Sequence, residues 1–373
     1  MKIAYLNTVG IPARYGGFET SVEEISARLV RKGHEVTVYC GSNSASKYSS
    51  YKGVNLINLP RNSMKFLDFP LRCLLSTANA VPRDFDIFHY HDEYSPVFAS
   101  VPRLLSRTVV VTLGAPNWSR SSYPWFAQFL LRSSARLALS VPHATTVDSS
   151  WVREWYRAKF GKAPVYIPHG ANVSPRGADP IVLKRFGVEE GGYALFVGRL
   201  ISEKGVHHLI RAFNQSSIQS ELQLIIVGRD PYGGDYELSL RKMASENVRF
   251  LGYVYGDEME NLFKGAYLYV SPSELEGTSP AVLSAMGFGN CVLISDIPGN
   301  LEAVGNAGVT FKNKDCQDLC DKMVYLISNP DVVHEYREKA VERISKFYTW
   351  DSVAERMERL YISCLLYTSP SPR

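Results

Sequence analysis

The sequence has no run of about 18 uncharged apolar residues, the length that a membrane-spanning helix needs. Its opening, MKIAYLNTVG, also lacks an apolar stretch long enough for a signal peptide, because Gly10 and Pro12 interrupt it. Hydrophobic residues make up 45% and charged residues 21% of the chain, which is typical of a globular protein. We therefore expect a cytoplasmic protein, with peripheral contact to the inner face of a membrane as a further option.

No two of the six cysteines form a CxxC pair. Cys316 and Cys320 are spaced to share one helix face, but neither a second pair nor a nearby histidine completes a metal site. We interpret all six as reduced thiols, and we predict neither a bound metal nor a cofactor.

Charge is divided unevenly along the chain. Residues 1–170 carry 20 Lys and Arg against 11 Asp and Glu, a net charge of +9, and the remainder carries −5. A basic amino-terminal half indicates an anionic partner, either a membrane surface or a phosphorylated acceptor. Ordinary surface charge explains the asymmetry equally well. We expect no nucleic acid partner.

One segment, SYPWFAQFLLRSSARLAL at 122–139, combines aromatic side chains with arginines. This composition fits an interfacial helix on an anionic membrane. We favour the alternative, a buried helix that covers a sheet.

Short apolar runs alternate with longer amphipathic segments throughout the chain. Runs such as KIAYLN, EVTVYC and TVVVTLG are nearly continuous, as expected for strands buried on both faces. The same alternation restarts at YALFVGRL and continues through LQLIIVG and CVLISDI. Strand–helix alternation predicts parallel sheets with helices on both faces, and two such series predict two Rossmann-like, doubly wound α/β domains.

The pattern also predicts where the domains begin and end. We expect an amino-terminal domain over 1–170, a linker region over 171–190 and a carboxy-terminal domain over 191–345. A closing helix over 346–363 follows and is expected to pack back on the amino-terminal domain. The Ser- and Pro-containing end, 364–373, is interpreted as a non-native tail. Ligands of such sheets bind beyond the carboxyl ends of the strands, so we expect the two domains to face each other across a cleft.

The first candidate site is the loop GIPARYGGFET, between the first strand and the first helix. Amides at a helix start form an anion site, and Gly16 and Gly17 would let a phosphate approach the backbone. The loop is neither GxGxxG nor a P-loop, so a nicotinamide cofactor is disfavoured. A plain tight turn explains the glycines as well as a phosphate site does.

A second candidate is VGRLISEKG. Arg199 follows a buried strand, and Lys204 precedes the next helix. Two cations at the end of one strand could clamp a diphosphate, with Arg as a fork of donors and Lys as a point charge. They could also be two solvated surface cations.

A third candidate, SPSELEGTSP, follows the strand AYLYV. Glu274 and Glu276 lie in this loop, and residues 277–279 offer amides near a helix start. Carboxylates there could hold sugar hydroxyls, or they could simply be acidic residues at a helix N-terminus.

Taken together, these motifs resemble the retaining glycosyltransferases of family 4, which have the two-domain GT-B fold. The resemblance covers about 1–363 and includes YGGFE, VGRLISEKG, FLGYV and the closing YTWDSVAERM. The opening GIPARYGGFET resembles a subgroup that includes rhamnosyl- and other hexosyltransferases of surface-polysaccharide assembly.

The resemblance implies transfer of a hexose from a nucleotide diphosphate sugar to a hydroxyl of a saccharide or lipid-linked acceptor, with retention of configuration and without an essential metal. Arg199 and Lys204 would hold the diphosphate, and Glu276 would contact the donor sugar as the first glutamate of the E-x7-E motif. Other implied substrate contacts are Gly16, Gly17, Tyr253, Val254, Gly277, Thr278 and Ser279, with the base near Tyr253 and Val254.

Two positions depart from the family pattern. Ser284 stands where the second motif glutamate is expected, and Leu113 stands where the family often has a histidine. His91 is the remaining candidate for a polar contact near the reacting sugar, although a structural role is the alternative. These departures keep open a catalytically weak relative that acts as a binding or scaffold subunit. A sugar-nucleotide epimerase is a further alternative.

Overall fold

The structure is a computed structural model that describes residues 1–13, 16–41, 48–60, 68–92, 95–114, 133–216, 218, 221–231 and 233–368. The chain forms two compact units. Unit 1 comprises Met1–His169 together with the segment that starts at Trp350, and unit 2 comprises Gly170–Thr349.

Unit 1 is built on an eight-stranded sheet. Its strands are β1 (Lys2–Thr8), β2 (Glu35–Cys40), β3 (Ser50–Tyr51), β4 (Val54–Asn58), β5 (Ile87–His91), β6 (Thr108–Leu113), β7 (Ala144–Val147) and β8 (Val165–Tyr166). The strand order is β3-β4-β2-β1-β5-β6-β7-β8, and only the β3–β4 pair, at one edge, is antiparallel. The chain therefore leaves β1 toward one side and returns to its other side at β5, which makes a switch point between these two strands.

Helices cover this sheet, namely α1 (Gly17–Arg31), α2 (Asp68–Ala80), α3 (Pro96–Leu104) and α4 (Ser150–Phe160). In α1, Val22, Ile25 and Leu29 recur at helical spacing and are buried. The apolar stripe seen in the sequence thus directs this helix against the core.

Unit 2 contains a six-stranded, wholly parallel sheet. Its strands are β9 (Tyr193–Val197), β10 (Gln223–Val227), β11 (Val248–Gly252), β12 (Leu268–Ser271), β13 (Cys291–Ser295) and β14 (Val309–Phe311), in the order β11-β10-β9-β12-β13-β14. Successive side chains enter opposite cores: Leu195 lies in one hydrophobic cluster and Phe196 in the other. Burial on both faces explains why these strands read as unbroken apolar runs.

The helices of unit 2 are α5 (Pro180–Arg185), α6 (Val206–Gln215), α7 (Asp235–Met243), α8 (Gly256–Gly265), α9 (Pro280–Gly287), α10 (Pro298–Val304), α11 (Cys316–Ser328) and α12 (Pro330–Phe347). A short 3-10 helix, Ser202–Lys204, precedes α6.

The segment 171–190, predicted as a linker, is instead part of unit 2. It contains α5, and both Leu183 and Val188 are buried in the core of that unit. The prediction was wrong because a Gly- and Pro-rich start, ANVSPRGADP, hid the apolar residues that follow it.

The closing helix, predicted over 346–363, is α13 (Trp350–Thr368), which belongs to unit 1 and packs on α1. Its buried side chains recur at helical spacing through Met357, Tyr361 and Cys364. Cys364 is only 5% exposed, so the first residues of the segment interpreted as a non-native tail, 364–368, continue this helix. Residues 369–373 lie outside the described residues.

No helix in the described part of the chain is both long enough and apolar enough to cross a membrane. Most of the segment 122–139, considered above as an interfacial or buried helix, lies outside the described residues. In its described part, Ala135 and Ala138 are buried in the core of unit 1.

Candidate functional site

The topology of unit 2 brings two of the predicted loops together. The chain passes from β9 to β10 on one side and later returns to β12 on the other side of β9, so β9 and β12 are neighbours. Their carboxyl ends therefore form a switch point, the place where doubly wound sheets bind ligands. The loop after β9 carries Arg199 and Lys204, and the loop after β12 carries Glu274 and Glu276.

Close backbone packing joins these two loops. Gly205 has φ +65°, and a Cβ atom added there would lie 2.0 Å from the carbonyl oxygen of Pro272. The amide of Glu274 also donates a hydrogen bond of 2.8 Å to the carbonyl of Glu203. Glycine at 205 is thus required both by its backbone conformation and by the approach of the second loop.

Lys204 and Glu276 meet directly at this junction. The Nζ of Lys204 donates a hydrogen bond to Oε2 of Glu276, and the two side chains are only 14% and 16% exposed. The pair places one cation and one carboxylate side by side, within reach of a ligand that carries both phosphate and hydroxyl groups.

Arg199 lies near a second cation that the sequence reasoning missed. Arg229 follows β10, and its guanidinium packs against Gly252. A Cβ atom added to Gly252 would lie 3.0 Å from Nε of Arg229. Burial and the neighbouring Tyr255 raise the pKa of Tyr253, while the charges of Arg229 and Arg199 oppose that rise. The signal was present in the sequence, because VGR occurs twice, at 197–199 and again at 227–229.

The loop after β11 presents two aromatic rings. Tyr253 and Tyr255 are exposed, and their rings stack with centroids 5.9 Å apart and an interplanar angle of 23°. The side chain of Val254 is buried in the hydrophobic core. Of the pair predicted near a base, only Tyr253 therefore offers its side chain at the surface, and Tyr255 adds a second ring.

Residues 277–279 lead into α9. Gly277 packs so closely on α10 that a Cβ atom added to Gly299 would lie 2.0 Å from the Gly277 carbonyl oxygen. Ser279 is the N-cap of α9 and Pro280 its first residue. Thr278 is 1% exposed, and its Oγ1 has no hydrogen-bond partner among the described residues. A buried hydroxyl without a partner is a group that a bound ligand could satisfy.

Ser284 is half-buried on α9. Its carbonyl accepts a hydrogen bond of 3.0 Å from the amide of Phe288. Leu113, the other departure, ends β6 and is fully buried in the core of unit 1.

The remaining predicted site residues lie in unit 1. Gly16 is the N-cap of α1, with an extended backbone (φ −167°) that any residue adopts, and Gly17 is the first helical residue. A Cβ atom on Gly16 would lie 2.8 Å from Oε2 of Glu19. A flexible carboxylate, rather than backbone, therefore occupies the space beside this helix start.

His91 ends β5 and is 8% exposed. Its ring stacks on those of His89 and Tyr5, with centroids 4.5 Å and 5.6 Å away. Burial, with a smaller contribution from His169, lowers the pKa of His91 to about 3, so the ring is neutral at neutral pH. Its Nδ1 has no hydrogen-bond partner within the described ranges.

Three further polar residues near His91 were missed. His169 follows β8, with Nδ1 2.5 Å from Oγ of Ser21 on α1 and Nε2 3.1 Å from Oδ2 of Asp148, which follows β7. Phe18 contacts the rings of both His91 and His169 edge-on. The sequence signal was in VDSS and IPHG, which each place polar residues at the end of a short apolar run.

Comparison with known families matches both units. Residues 15–174 match the family described as Glycosyltransferase Family 4, and residues 184–347 match Glycosyl transferases group 1. The chain is a GT-B glycosyltransferase with a family 4-like domain and a group 1 domain. The α/β fold of two parallel-sheet domains that the sequence predicts is thereby confirmed.

Relatives of this glycosyltransferase align along nearly its whole length. An uncharacterized glycosyltransferase of Methanocaldococcus jannaschii is 25% identical over 97% of this chain and 98% of its own. A GDP-mannose-dependent monoacylated alpha-(1-6)-phosphatidylinositol monomannoside mannosyltransferase of Corynebacterium glutamicum is 23% identical over 95% and 96%. The crystal structure of HepE from Anabaena in complex with UDP-glucose has a TM-score of 0.81 at 18% identity and covers 97% of this chain and 100% of that one.

Proposed function

We propose that this glycosyltransferase moves a hexose from a nucleotide diphosphate sugar to a hydroxyl of a saccharide or lipid-linked acceptor, with retention of configuration. The observation that carries the proposal is the contact between Lys204 and Glu276 at the switch point of unit 2. The names of the relatives support a nucleotide-sugar donor, since one is GDP-mannose-dependent and the other was crystallised with UDP-glucose.

In this proposal, Arg199 and Lys204 bind the donor diphosphate, and Arg229 adds a third cation at the same edge of the sheet. Lys204 has three donors on Nζ, so it can keep its bond to Glu276 while it binds a phosphate oxygen. Glu276 accepts hydrogen bonds from hydroxyls of the donor sugar, and the amides and hydroxyls of residues 277–279 line the same site. Tyr253 and Tyr255 stack on the base.

The same cations also assist the departure of the diphosphate. When the glycosidic bond to phosphate breaks, negative charge develops on the departing diphosphate, and Arg199 and Lys204 stabilise it without a metal. A donor phosphate oxygen accepts the proton of the acceptor hydroxyl on the same face. This route gives retention and requires no protein general base, so we assign none.

The predicted residues of unit 1 are proposed as substrate contacts, with roles that the geometry restricts. His91 is neutral, so it serves by hydrogen bonding through Nδ1 rather than by charge. Gly16 and Gly17 offer backbone amides at the start of α1. We place the enzyme in the cytoplasm, at the inner face of the membrane, in the assembly of surface polysaccharides or glycolipids.

A donor screen tests the proposal. UDP-, GDP- and dTDP-sugars are titrated into the full chain by calorimetry, and nucleotide release is then followed for the tightest donor with and without hydroxyl acceptors. We expect release that depends on acceptor and a product with the donor's anomeric configuration by NMR. Inversion would contradict the proposed route.

Two other outcomes would favour the alternatives. Donor binding without release under any acceptor would favour a binding or scaffold subunit, the reading that Ser284 and Leu113 support. Turnover of the sugar nucleotide that is independent of acceptor would favour an epimerase.

A further inference from the structure

Two histidines and a glutamate converge beside the donor loops. His207 and His208 lie in the first turn of α6, and Glu274 lies in the loop after β12. The Nε2 atoms of His208 and His207 are 3.1 Å and 3.8 Å from the same oxygen, Oε1 of Glu274. One ligand atom from each residue lies within 4.8 Å of the other two, and all three residues are half-buried.

The opposite nitrogen of each ring is also engaged. Nδ1 of His207 lies 2.7 Å from the hydroxyl of Tyr236, and Nδ1 of His208 lies 3.5 Å from Sγ of Cys316. Metal-binding histidines have this arrangement, in which a second group orients the ring by its other nitrogen.

We infer that His207, His208 and Glu274 form a binding site for a divalent transition-metal ion of the zinc type. Zinc binds imidazole nitrogen and carboxylate oxygen at about 2.0–2.2 Å in a tetrahedron, which separates its ligand atoms by roughly 3.3 Å. The observed separations of 3.1 Å and 3.8 Å from Glu274 Oε1 match that spacing. The fourth position of the tetrahedron would be taken by water, because Cys316 contacts the opposite nitrogen of the His208 ring.

The sequence pattern around Cys316 did not reveal this cluster for a topological reason. No histidine is close to Cys316 in the chain, but His208, 108 residues away, contacts it because α6 and α11 pack together. Cys320 is buried in the hydrophobic core and takes no part.

A lysine also contacts this glutamate. Nζ of Lys314 lies 2.7 Å from Oε2 of Glu274, and its side chain is largely exposed. The two histidines face Oε1, so a metal ion and Lys314 use different oxygens of the same carboxylate. The ion therefore needs no broken salt bridge to enter.

Binding there would join the two donor loops. Glu274 already donates its amide to the carbonyl of Glu203, beside Lys204, and a single residue separates Glu274 from Glu276. An ion held by α6 and by Glu274 would hold these loops together. Because the ion would bind the folded state and not the unfolded state, it would raise the stability of the folded protein.

The test uses the full chain, stripped of metal with a chelator, and Zn²⁺ or Co²⁺ as the probe. We expect one equivalent of Zn²⁺ to bind and to raise the melting temperature, and Co²⁺ to give the intense visible absorption of a tetrahedral ion. His208→Gln and Glu274→Gln, each with a circular dichroism spectrum like that of the wild type, should each weaken Zn²⁺ binding at least about tenfold.

His334→Gln is the matched control, because His334 lies 3.5 Å from Glu338 on an exposed helix face and joins no group of three ligands among the residues that the structure describes. It should leave Zn²⁺ binding unchanged. The inference is overturned if the wild type binds no stoichiometric Zn²⁺, or if His334→Gln weakens binding as much as His208→Gln and Glu274→Gln do.

Discussion

Lys204 donates a hydrogen bond from Nζ to Oε2 of Glu276, across 72 residues of sequence. Both side chains are mostly removed from water, at 14% and 16% exposure. Removing one partner of such a pair leaves the other poorly solvated and unpaired. A single substitution therefore lowers the stability of the protein by more than the pair's net contribution to that stability. This relationship connects the proposed phosphate clamp to the proposed sugar contact.

Substitution of the clamp cations should slow the reaction. Arg199→Ala and Lys204→Ala should each lower turnover by about ten- to thousand-fold, because each removes charge that stabilises the departing diphosphate. Steady-state nucleotide release measures the effect. Lys242→Ala, an exposed cation on α7, is the control and should retain full turnover. Turnover close to wild type in both clamp variants would refute the assignment.

Ser284→Glu should tighten nucleotide binding. By the family resemblance, the second motif glutamate would accept hydrogen bonds from the ribose hydroxyls of the donor. The serine is shorter and uncharged, so it would accept them more weakly. A hydrogen bond to a charged group contributes about 1.5–3 kcal/mol, roughly ten- to hundred-fold in affinity, and the variant should gain part of that. Calorimetry with the preferred ribonucleotide and its deoxy counterpart measures the gain and the expected preference for ribose.

Folding of this variant must be checked first, since Ser284 is half-buried and the larger side chain has to fit. Unchanged or weaker binding by a well-folded Ser284→Glu protein would mean that the site is built around serine. It would also count against the role of Glu276.

Stability should fall with acid partly through His91. Burial lowers its pKa from 6.5 to about 3 in the folded protein, so between these values the unfolded state binds a proton that the native state does not. The stability that depends on a neutral His91 is therefore fully present above pH 6.5 and is lost as pH falls toward 3. When the pH is lowered from about 7 to about 4.5, the free energy of unfolding of His91→Gln should fall by about 2–3 kcal/mol less than that of the wild type.

Urea unfolding at the two pH values measures the difference. His89, whose pKa is lowered by burial and by the neighbouring His91, also contributes to the slope in both proteins. An identical pH dependence for wild type and His91→Gln would show that His91 is not buried as a neutral ring.

Truncation should distinguish the two parts of the carboxyl terminus. Deleting 364–373 removes the buried Cys364 from the cluster formed with Tyr361 and should cost about 1–3 kcal/mol, with a lower melting temperature. Deleting only 369–373 should leave the melting temperature unchanged. Equal stability of the two truncated proteins would contradict the packing of the last turns of α13.

Membrane binding should depend on charge. If the basic residues of 1–170 attach the enzyme to a membrane, vesicles with anionic lipid should bind it, and salt should weaken the binding. Neutral vesicles provide the control in a sedimentation assay. Equal binding to both kinds of vesicle, or to neither, would remove the electrostatic peripheral role.

Local patterns were sufficient to predict much of this protein. Apolar runs of strand length and apolar stripes at helical spacing depend on neighbouring residues, so β1, α1 and β9 could be read directly. Turn residues also marked Arg199, Lys204 and Glu276 as loop residues after strands. Errors arose where a local signal misled, as when Pro and Gly in ANVSPRGADP suggested a linker.

Tertiary structure alone decided which of these residues meet. The order of strands, with β12 beside β9, brings Glu276 to Lys204, and helix packing brings Cys316 to His208. The same packing shows that Val254 points into the core while Tyr255 is exposed. Contacts between residues far apart in the chain depend on the burial of whole sheet faces, which no local spacing encodes. The proposed donor site and the proposed metal site are both made of such contacts.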